Sequence, residues 1–292
     1  MNSISVLIKE IRVYQWVKNI LIFSPLLLSH TFTDTERLID SFIAFIAFCL
    51  CASSVYIIND LCDIEADRKH PIKKNRPIAA GLMSIDFAKV IALLLIVVSA
   101  VIAYLQSREF FFVLLGYFSL TLAYSFSLKT FAIVDVLILG GLYTLRIVAG
   151  VIVINVEISY WLVVFSLFIF ISLAILKRYT ELMNMKSRNE TDASHRGYEI
   201  ADADLLSKMG IVSSYIAILV VALYIHDPLV ITKYTQPLWL WAVIPAMFYW
   251  LSRVWLLASR GEMQEDPVLF ALRDKTSYFL IVICLFSILL AM

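Results

Sequence analysis

The sequence has few charged residues and few cysteines, and each shortage excludes a class of protein. Only 16% of its 292 residues are Asp, Glu, Lys or Arg, whereas 61% are hydrophobic, and no ordinary soluble domain has this composition. The formal net charge of +1 gives no general electrostatic basis for binding nucleic acid. The four cysteines show no zinc-ligand spacing, and Cys49 and Cys51 are expected to pack in an apolar run rather than to carry redox chemistry.

The N-terminal segment lacks the features of a cleavable signal peptide. Its charged side chains are spread through a mixed segment, and no small-residue cleavage site follows the first apolar run, so we expect this segment to be retained. Residues 2–14 predict a short amphipathic helix at the membrane surface, and Trp16 with Lys18 fits anchoring at the interface. No low-complexity linker or soluble segment interrupts the chain, so we predict one transmembrane domain over residues 1–292.

Long apolar runs dominate the chain, whose mean hydropathy is +0.87. Several of them approach the roughly 20 residues that a helix needs to cross a bilayer. The spacing of these runs predicts an all-α integral membrane protein with about nine transmembrane helices. The predicted spans cover about 17–32, 38–60, 85–105, 110–127, 131–153, 159–181, 205–225, 237–257 and 276–291.

The distribution of basic residues predicts the orientation of these spans. Arg37, Arg108 and Lys233 are the basic residues of the loops after spans one, three, five and seven, and Arg146 lies inside a span. The other 20 of the 24 Lys and Arg residues lie at the opposite face. By the positive-inside rule, the cytoplasmic segments are the N-terminus and the loops at 61–84, 128–130, 182–204 and 258–275.

The strongest local signal is an acidic stretch at the end of the second span. Asp60, Asp63 and Asp67 follow the spacing i, i+3, i+7, which places them along one face of a helix. Asn59 lies one turn before Asp63. Carboxylates at this spacing repel each other unless a cation binds them, and such oxygen ligands suit Mg²⁺ when substrate phosphates complete its shell. The alternative is a solvated loop of mixed charge beside a membrane helix.

Basic residues that could hold phosphate groups follow this acidic stretch. Arginine and lysine side chains bind phosphate through charge-assisted hydrogen bonds. The basic run consists of Arg68, Lys69, Lys73, Lys74 and Arg76. Tyr124 and Lys129, at the end of the fourth span, could also reach phosphate oxygens, although tyrosine and lysine are common at helix ends as interfacial anchors.

Ionisable residues within the predicted spans form the remaining candidates. Asp135 and Arg146 are eleven residues apart, which is about three helical turns, and charges at membrane depth are costly and usually functional. A structural Asp–Arg contact is the alternative. Lys177 and Glu181 lie at i, i+4 at the end of the sixth span, with Arg178 at the same depth. A flank of snorkelling basic residues is the alternative there.

The polar segment after the sixth span has two open interpretations. It contains the sequence His195, Arg196, Gly197 and Tyr198, with Asp192, Asp202 and Asp204 nearby. These residues could form a lid over a site, or they could belong to a solvated loop.

Several of these motifs resemble one known family. The pattern N-D-x-x-D-x-x-x-D at 59–67 resembles the first aspartate-rich motif of the UbiA superfamily of intramembrane prenyltransferases. Its continuation through 81 is similar to the decaprenyl-phosphate phosphoribosyltransferase branch. The resemblance covers most of the chain, and its other matching segments are 15–19, 124–129, 134–135, 145–150 and 177–182. It implies a UbiA-like bundle in which the helices surround a central cavity.

The resemblance also implies a reaction and its residues. Ordinary members carry a second aspartate-rich motif where this chain has Lys177, Arg178 and a single acid, Glu181, which favours a donor with an additional phosphate. The implied reaction is the Mg²⁺-dependent transfer of 5-phosphoribose from phosphoribosyl diphosphate to a polyprenyl phosphate at the cytoplasmic face of the plasma membrane. It would supply a lipid-linked pentose for cell-envelope glycans. The implied catalytic and metal-binding residues are Asp60, Asp63 and Asp67. The implied substrate-binding residues are Asn59, Lys18, Arg68, Lys73, Arg76, Tyr124, Lys129, Asp135, Arg146, Lys177, Arg178 and Glu181.

Two alternative functions remain compatible with the sequence. A UbiA-type enzyme that moves a prenyl group from a prenyl diphosphate to an aromatic acceptor would share the chemistry of the three aspartates. A carrier without enzymatic activity would instead use Asp135 and Arg146 as a relay for its substrate.

Overall fold

The protein is described here by a computed structural model, which covers residues 3–69, 73–187, 196–263, 266–271 and 273–292. Within these ranges all regular secondary structure is helical, which confirms the all-α prediction. The α-helices are α1 (Ser3–Glu10), α2 (Ser24–Leu28), α3 (Thr35–Cys62), α4 (Ile64–Lys69), α5 (Ile85–Gln106), α6 (Arg108–Phe126), α7 (Val134–Val153), α8 (Tyr160–Ser187), α9 (Ala203–His226), α10 (Pro228–Ile231), α11 (Val243–Ser259), α12 (Pro267–Ala271) and α13 (Lys275–Ala291). Shorter 3₁₀ segments are Val13–Phe23, Lys73–Asn75, Leu128–Thr130, Ile200–Asp202 and Pro237–Ala242. The predictions for Asp192 and His195 lie outside the described residues.

Seven helical segments of the described chain are long and apolar enough to cross a membrane. They match the second to the eighth predicted spans and are Thr35–Cys62, Ile85–Gln106, Arg108–Phe126, Val134–Val153, Tyr160–Ser187, Ile200–His226 and Pro237–Ser259. The first and last predicted spans are shorter apolar helices, Val13–Leu28 and Lys275–Ala291. The predicted number of about nine spans is therefore not confirmed. Near the N-terminus, the apolar segment changes from a 3₁₀ helix to an α-helix next to Pro25, which has no N–H to donate.

The chain divides into two compact units, and the first consists of Met1–Phe126 and Leu145–Glu157. Its central element is α3, because more than half of the residues in the most apolar part of α3 are buried. In α5 and α6, most residues of the corresponding part are not buried. Small residues let α3 and α5 approach closely, because little side chain separates the two backbones. Ser54 Oγ donates to the carbonyl of Ala92 at 2.8 Å, and Ser99 Oγ donates to that of Ala47 at 2.8 Å. These bonds satisfy hydroxyl groups that would otherwise be unpaired in an apolar environment.

The second unit consists of Ser127–Thr144 and Ile158–Met292, so α7 contributes residues to both units. In this unit α8 packs along α9. Gly210 of α9 leaves room for the indole of Trp255, since an added Cβ would lie 2.2 Å from Trp255 Cζ2. The indole Nε1 donates to the hydroxyl groups of Ser172 and Ser214 at 3.3 and 3.1 Å. This buried polar contact fixes α8, α9 and α11 against each other.

Candidate active site

The acidic motif is divided between two helices. Asp60 lies in the last turn of α3 and Asp67 lies in α4, and both are buried, with 3% and 2% of the side chain exposed. Asp63, between them, is the C-cap of α3 and has left the helical conformation, at φ −98° and ψ 12°. Because α3 ends at Cys62, the continuous helix that the spacing predicts is interrupted at Asp63. Backbone bonds from the Asp63 N–H to the Asn59 carbonyl and from the Asp67 N–H to the Asp63 carbonyl continue across the interruption, and Asp60 and Asp67 still bond the same arginine.

Two arginines neutralise the buried aspartates. Arg76 Nη1 donates to Asp60 Oδ1 at 2.9 Å and to Asp67 Oδ2 at 2.6 Å. Arg12 Nη2 donates to both carboxylate oxygens of Asp60, at 2.5 and 2.7 Å. The Arg12 guanidinium also lies 4.9 Å from the ring centroid of Tyr56, within the range of a cation–π contact. These bonds are needed because an unpaired buried carboxylate costs several kcal/mol.

Arg12 belongs to this site although no sequence pattern pointed to it. It connects α1 to the 3₁₀ segment Val13–Phe23, and its backbone is left-handed at φ 52° and ψ 51°. This conformation is unfavourable for a residue with a side chain, and such strain is found mostly where a site requires it. The Trp16 indole donates to Ser53 Oγ at 3.0 Å, and Ser53 Oγ donates to the carbonyl of Ile11 at 2.8 Å. These two bonds fix the backbone on both sides of Arg12.

Glu10 is a second residue of this region that the sequence did not single out. It is the last residue of α1, and only 1% of its side chain is exposed. Among the described residues neither of its carboxylate oxygens has a hydrogen-bond partner. Burial and the neighbouring Asp60 carboxylate raise the pKa of Glu10 to about 7, against the opposing effect of Arg12. The end of α1 therefore adds a third buried carboxylate to the two aspartates.

The other residues of the motif are more accessible. Asn59 and Asp63 are half-buried, and in the described part of the chain neither side chain has a hydrogen bond or an ion pair. Arg68 is exposed and donates to the carbonyl of Ala79 at 3.3 Å. Lys73 is exposed in its 3₁₀ turn. Of the predicted residues in this stretch, the structure thus brings together two aspartates and Arg76.

The two intramembrane charges, Asp135 and Arg146, have different partners. Arg146 Nε donates to Asn19 Oδ1 at 2.8 Å, and Nη2 donates to the hydroxyl of Tyr117 at 2.8 Å. Asp135 is fully buried and accepts a bond from Arg178 Nε at 2.6 Å. The proposed structural contact between Asp135 and Arg146 is therefore wrong, since other helices supply the partner of each. Asn19 had been predicted only as part of the matching segment 15–19.

In the second unit, Arg178 is the centre of a buried polar network. Its guanidinium is 2% exposed and binds Glu181 Oε2 at 2.6 Å as well as Asp135. The hydroxyl of Tyr198 donates to Asp135 Oδ1 at 2.5 Å and accepts from the backbone N–H of Ile133 at 2.8 Å. We call Asp135, Arg178, Glu181 and Tyr198 the Arg178 network. It shows that Arg178 and Glu181 are more than a snorkelling flank.

Tyr198 corrects the interpretation of its segment as a solvated loop, because its side chain is buried. The preceding Gly197 has a left-handed backbone at φ 71°, and an added Cβ would lie 2.5 Å from the carbonyl oxygen of Thr130. Only glycine fits this conformation and this close approach. The pair Gly197–Tyr198 was thus the available signal for an anchored loop.

The remaining predicted substrate contacts are partly buried side chains. Lys177 Nζ donates to Asp266 Oδ2 at 3.1 Å. Three others are half-buried: Lys18, Tyr124 and Lys129.

The residues around Asp60 fit a magnesium ion by the chemistry of their donors. In residues 3–69, 73–187 and the later described ranges, no group of three or more His, Cys, Asp or Glu side chains is arranged to hold a metal by itself. Mg²⁺ does not require such a group, because one or two carboxylates commonly bind it while substrate phosphates and water complete its shell. Asp60 and Asp67 provide this pair. The Arg76 guanidinium, shared between them, shows that the pair accommodates a cation.

Comparison with known proteins identifies the family. A profile of the UbiA prenyltransferase family matches residues 22–290. The chain is 40% identical over 274 residues to the protein y4nM of Sinorhizobium fredii, covering 94% of this chain and 53% of that protein. It is 31% identical over 267 residues to the nodulation protein NoeC of Azorhizobium caulinodans, covering 91% and 86%. The chain thus spans about half the length of y4nM but most of NoeC.

A third relative and a solved structure extend the comparison. The decaprenyl-phosphate phosphoribosyltransferase of Mycolicibacterium smegmatis is 37% identical over 187 residues, covering 62% of this chain and 58% of that protein. The structure of a UbiA homolog from Archaeoglobus fulgidus bound to GPP and Mg²⁺ superposes with a TM-score of 0.70 at 16% identity, over 97% of this chain and 99% of that one. The fold is therefore shared. The chain is a multi-pass membrane protein that belongs to the UbiA prenyltransferase family.

Proposed function

We propose that this protein transfers 5-phosphoribose from phosphoribosyl diphosphate to a polyprenyl phosphate and releases diphosphate. The observation that carries the proposal is the Arg178 network. Where the family resemblance leads us to expect a second aspartate-rich motif, α8 has Arg178, held by Asp135 and Glu181, beside Lys177. Cations at this position favour a donor that carries a phosphate besides its diphosphate. The 37% identity with the M. smegmatis phosphoribosyltransferase supports the same reaction.

In this proposal the acidic motif serves the diphosphate of the donor. Asp60 and Asp67 would hold Mg²⁺, with Asp63 and Asn59 within the same turn of chain. When bound, Mg²⁺ supplies positive charge that neutralises the diphosphate as a leaving group. Arg12 and Arg76 are fixed beside the aspartates and can donate to diphosphate oxygens. Such donors stabilise the negative charge that develops as the leaving group departs.

The transfer itself requires no strong general base. An oxygen of the polyprenyl phosphate, already anionic at neutral pH, forms a bond to the anomeric carbon of the ribose. The bond from that carbon to the diphosphate breaks, and its electron pair leaves with the diphosphate. The main task of the protein is to hold two anions close together, so positioning by cations supplies much of the catalysis. The proposed phosphate contacts are Lys18, Arg68, Lys73, Arg76, Tyr124, Lys129, Arg146, Lys177 and Arg178.

The location of the reaction is part of the proposal. With 20 of the 24 Lys and Arg residues predicted on one face, the acidic motif lies on the cytoplasmic side of the plasma membrane. A soluble phosphorylated donor is available there, while the polyprenyl tail of the acceptor stays in the bilayer. The product would be a lipid-linked pentose for cell-envelope glycans.

A second candidate is prenyl transfer from a prenyl diphosphate to an aromatic acceptor. It is favoured by the structural neighbour from A. fulgidus, which is bound to GPP and Mg²⁺. Asp60 and Asp67 would bind the diphosphate of the prenyl donor in the same way. The basic side chains of Lys177 and Arg178 would then have no assigned role in binding the donor.

A donor-swap assay on the full chain, purified in detergent with Mg²⁺, tests the proposal. One reaction contains labelled phosphoribosyl diphosphate and a polyprenyl phosphate, and the other contains a labelled prenyl diphosphate and 4-hydroxybenzoate. We expect label in the lipid extract only from the first reaction, and its loss with EDTA or in Asp60→Asn. Asp86→Asn is the matched control, because Asp86 is an exposed carboxylate paired with Lys89. Product from the second reaction alone would overturn the proposal.

A further inference from the structure

The N-terminal helix α1 is fixed against the end of α3. Val6 is buried in an apolar cluster with Ile57 and Ile78, and Leu7 packs against the same cluster. Lys9 Nζ donates to the carbonyl of Asn75 at 3.1 Å, and this bond also joins α1 to the segment that carries the basic run. The helix is therefore seated by apolar contacts on one side and by a polar contact at its end. This packing places its last residue, Glu10, beside the carboxylate of Asp60.

The position of Glu10 is unfavourable for a structural carboxylate. It is nine-tenths buried or more, and neither oxygen has a hydrogen-bond partner among the described residues. A buried charge without a partner is costly. Its place at the C-terminal end of a helix also sets it against the negative end of the helix dipole. An apolar side chain would pack at this position at a lower cost. Packing therefore does not explain why the residue is a glutamate.

Among the described residues, the buried carboxylates at this position outnumber the guanidinium groups that bond them. Three buried carboxylates, from Glu10, Asp60 and Asp67, face two guanidinium groups, from Arg12 and Arg76. Arg12 is only two residues from Glu10, yet its side chain bonds Asp60 with both contacts. The nearest arginine therefore hydrogen-bonds Asp60 and not Glu10. A cation or a proton would neutralise the Glu10 carboxylate.

We propose that Glu10 binds a divalent cation together with Asp60, so that α1 supplies a metal ligand from outside the aspartate-rich motif. The cation would be held by these two carboxylates, and water or phosphate oxygens would complete its shell, as is usual for Mg²⁺. The inference deepens the proposed function, on which it rests for the use of a metal at Asp60. It does not depend on which donor the protein uses. The competing explanation is a proton shared between Glu10 and Asp60.

Binding of Mn²⁺ to the full chain in detergent tests this inference directly. Free Mn²⁺ is measured by its electron paramagnetic resonance signal, with and without inorganic diphosphate. We expect Glu10→Gln and Asp60→Asn each to weaken Mn²⁺ binding at least about tenfold, as expected when a ligand with a full charge is lost. Glu109→Gln should bind like the wild type, because Glu109 is an exposed glutamate in the first turn of α6.

Two further measurements keep the inference open to refutation. Glu10→Gln removes an unpartnered buried charge, so it should raise the melting temperature without metal and lose the increase that Mn²⁺ gives the wild type. If this variant does not fold, Glu10→Asp keeps the charge on a shorter side chain and should bind Mn²⁺ several-fold more weakly. Wild-type affinity in either variant, with loss in Asp60→Asn, would overturn the role of Glu10 and favour the shared proton.

Absence of Mn²⁺ binding by the wild type would overturn both this inference and the metal role in the proposed function. A negative donor-swap assay with intact Mn²⁺ binding would overturn only the proposed donor.

Discussion

Arg76 joins Asp60 to Asp67 through a single nitrogen atom, which lies 2.9 Å from one carboxylate and 2.6 Å from the other. The acidic motif and the basic run that follows it are therefore parts of one structure rather than two neighbouring patches of charge. A ligand that binds the aspartates must compete with this arginine or use it.

Arg76→Ala should destabilise the protein. Removing one partner of a buried ion pair typically costs about 3–5 kcal/mol. We expect about 2 kcal/mol here, because Arg76 is 28% exposed and Arg12 remains on Asp60. The measurement is unfolding in detergent. Lys89→Ala, which removes the partner of the exposed Asp86, should change stability by less than about 0.5 kcal/mol. Equal effects of the two variants would contradict the structural role of Arg76.

Asp63→Asn should separate activity from stability. Among the described residues its half-buried carboxylate has no partner, so loss of its charge should leave the melting temperature within about 1 °C of the wild type. If Asp63 serves the metal and the diphosphate, the same variant should lose activity about tenfold or more. Glu65→Gln, an exposed neighbour in α4, provides the control. Full activity of Asp63→Asn would remove this residue from the site.

Tyr198→Phe should weaken the Arg178 network. The lost hydroxyl bonds both Asp135 and the N–H of Ile133, and a buried donor or acceptor left unsatisfied costs about 1–3 kcal/mol. Because Tyr198 acts on Arg178 through Asp135, the proposed function predicts that the KM for phosphoribosyl diphosphate rises more than kcat falls. Tyr215→Phe is the matched control, since the Tyr215 hydroxyl is exposed and 3.3 Å from Ser252. A loss of stability with no change in KM would mean that the network is structural only.

Gly197→Ala and Gly261→Ala form a comparison at almost the same backbone angle. Both glycines have a left-handed φ, at 71° and 73°, but only Gly197 faces a close atom, the carbonyl oxygen of Thr130. Gly261→Ala should therefore cost about 1 kcal/mol, the conformational penalty alone. Gly197→Ala should cost clearly more, because the Thr130 backbone must move. Similar melting temperatures for the two variants would show that the loop is not held against Thr130.

Asp274 should contribute stability that is lost in acid. Burial opposes its charge, but hydrogen bonds from Arg253 and Ser277 outweigh this effect and lower the pKa of Asp274 below its usual 3.8. A depressed pKa in the folded state stabilises the protein above the pKa of the unfolded state, and this stabilisation disappears as pH falls through the folded value. The melting temperature of Asp274→Asn should thus be lower than that of the wild type at pH 7. The difference should shrink below about pH 4. A constant difference over this range would contradict the role of the charge.

Hydropathy predicted the spans well because a bilayer requires long apolar helices with internally satisfied backbones. It could not predict that Val13–Leu28 is partly 3₁₀, since the local geometry around Pro25 is set by packing. The acidic motif is recognisable from its spacing, but spacing alone does not predict that α3 ends at Cys62 and that the helix is interrupted at Asp63. Spacing along α7 likewise suggested a contact between Asp135 and Arg146. Each of these side chains instead bonds to residues outside α7.

Glu10 and Arg12 were missed for a related reason. In the sequence they are two of several charges on a predicted surface helix, and that is the usual appearance of solvated residues. Their burial depends on how α1 packs against the end of α3, and Arg12 reaches Asp60 through a left-handed backbone that no local pattern indicates. The burial of Tyr198 could not be predicted, because long-range hydrogen bonds, not the polarity of the segment, determine its position.

The connected bonds of the Arg178 network have a consequence for evolution. Asp135 is fully buried, so a relative that replaces Arg178 by an acid would leave two like charges in contact unless it also changes Asp135. Substitution at one position therefore requires compensation at another. We expect positions 135, 178, 181 and 198 to covary among homologues, and to divide the family into branches with different donors.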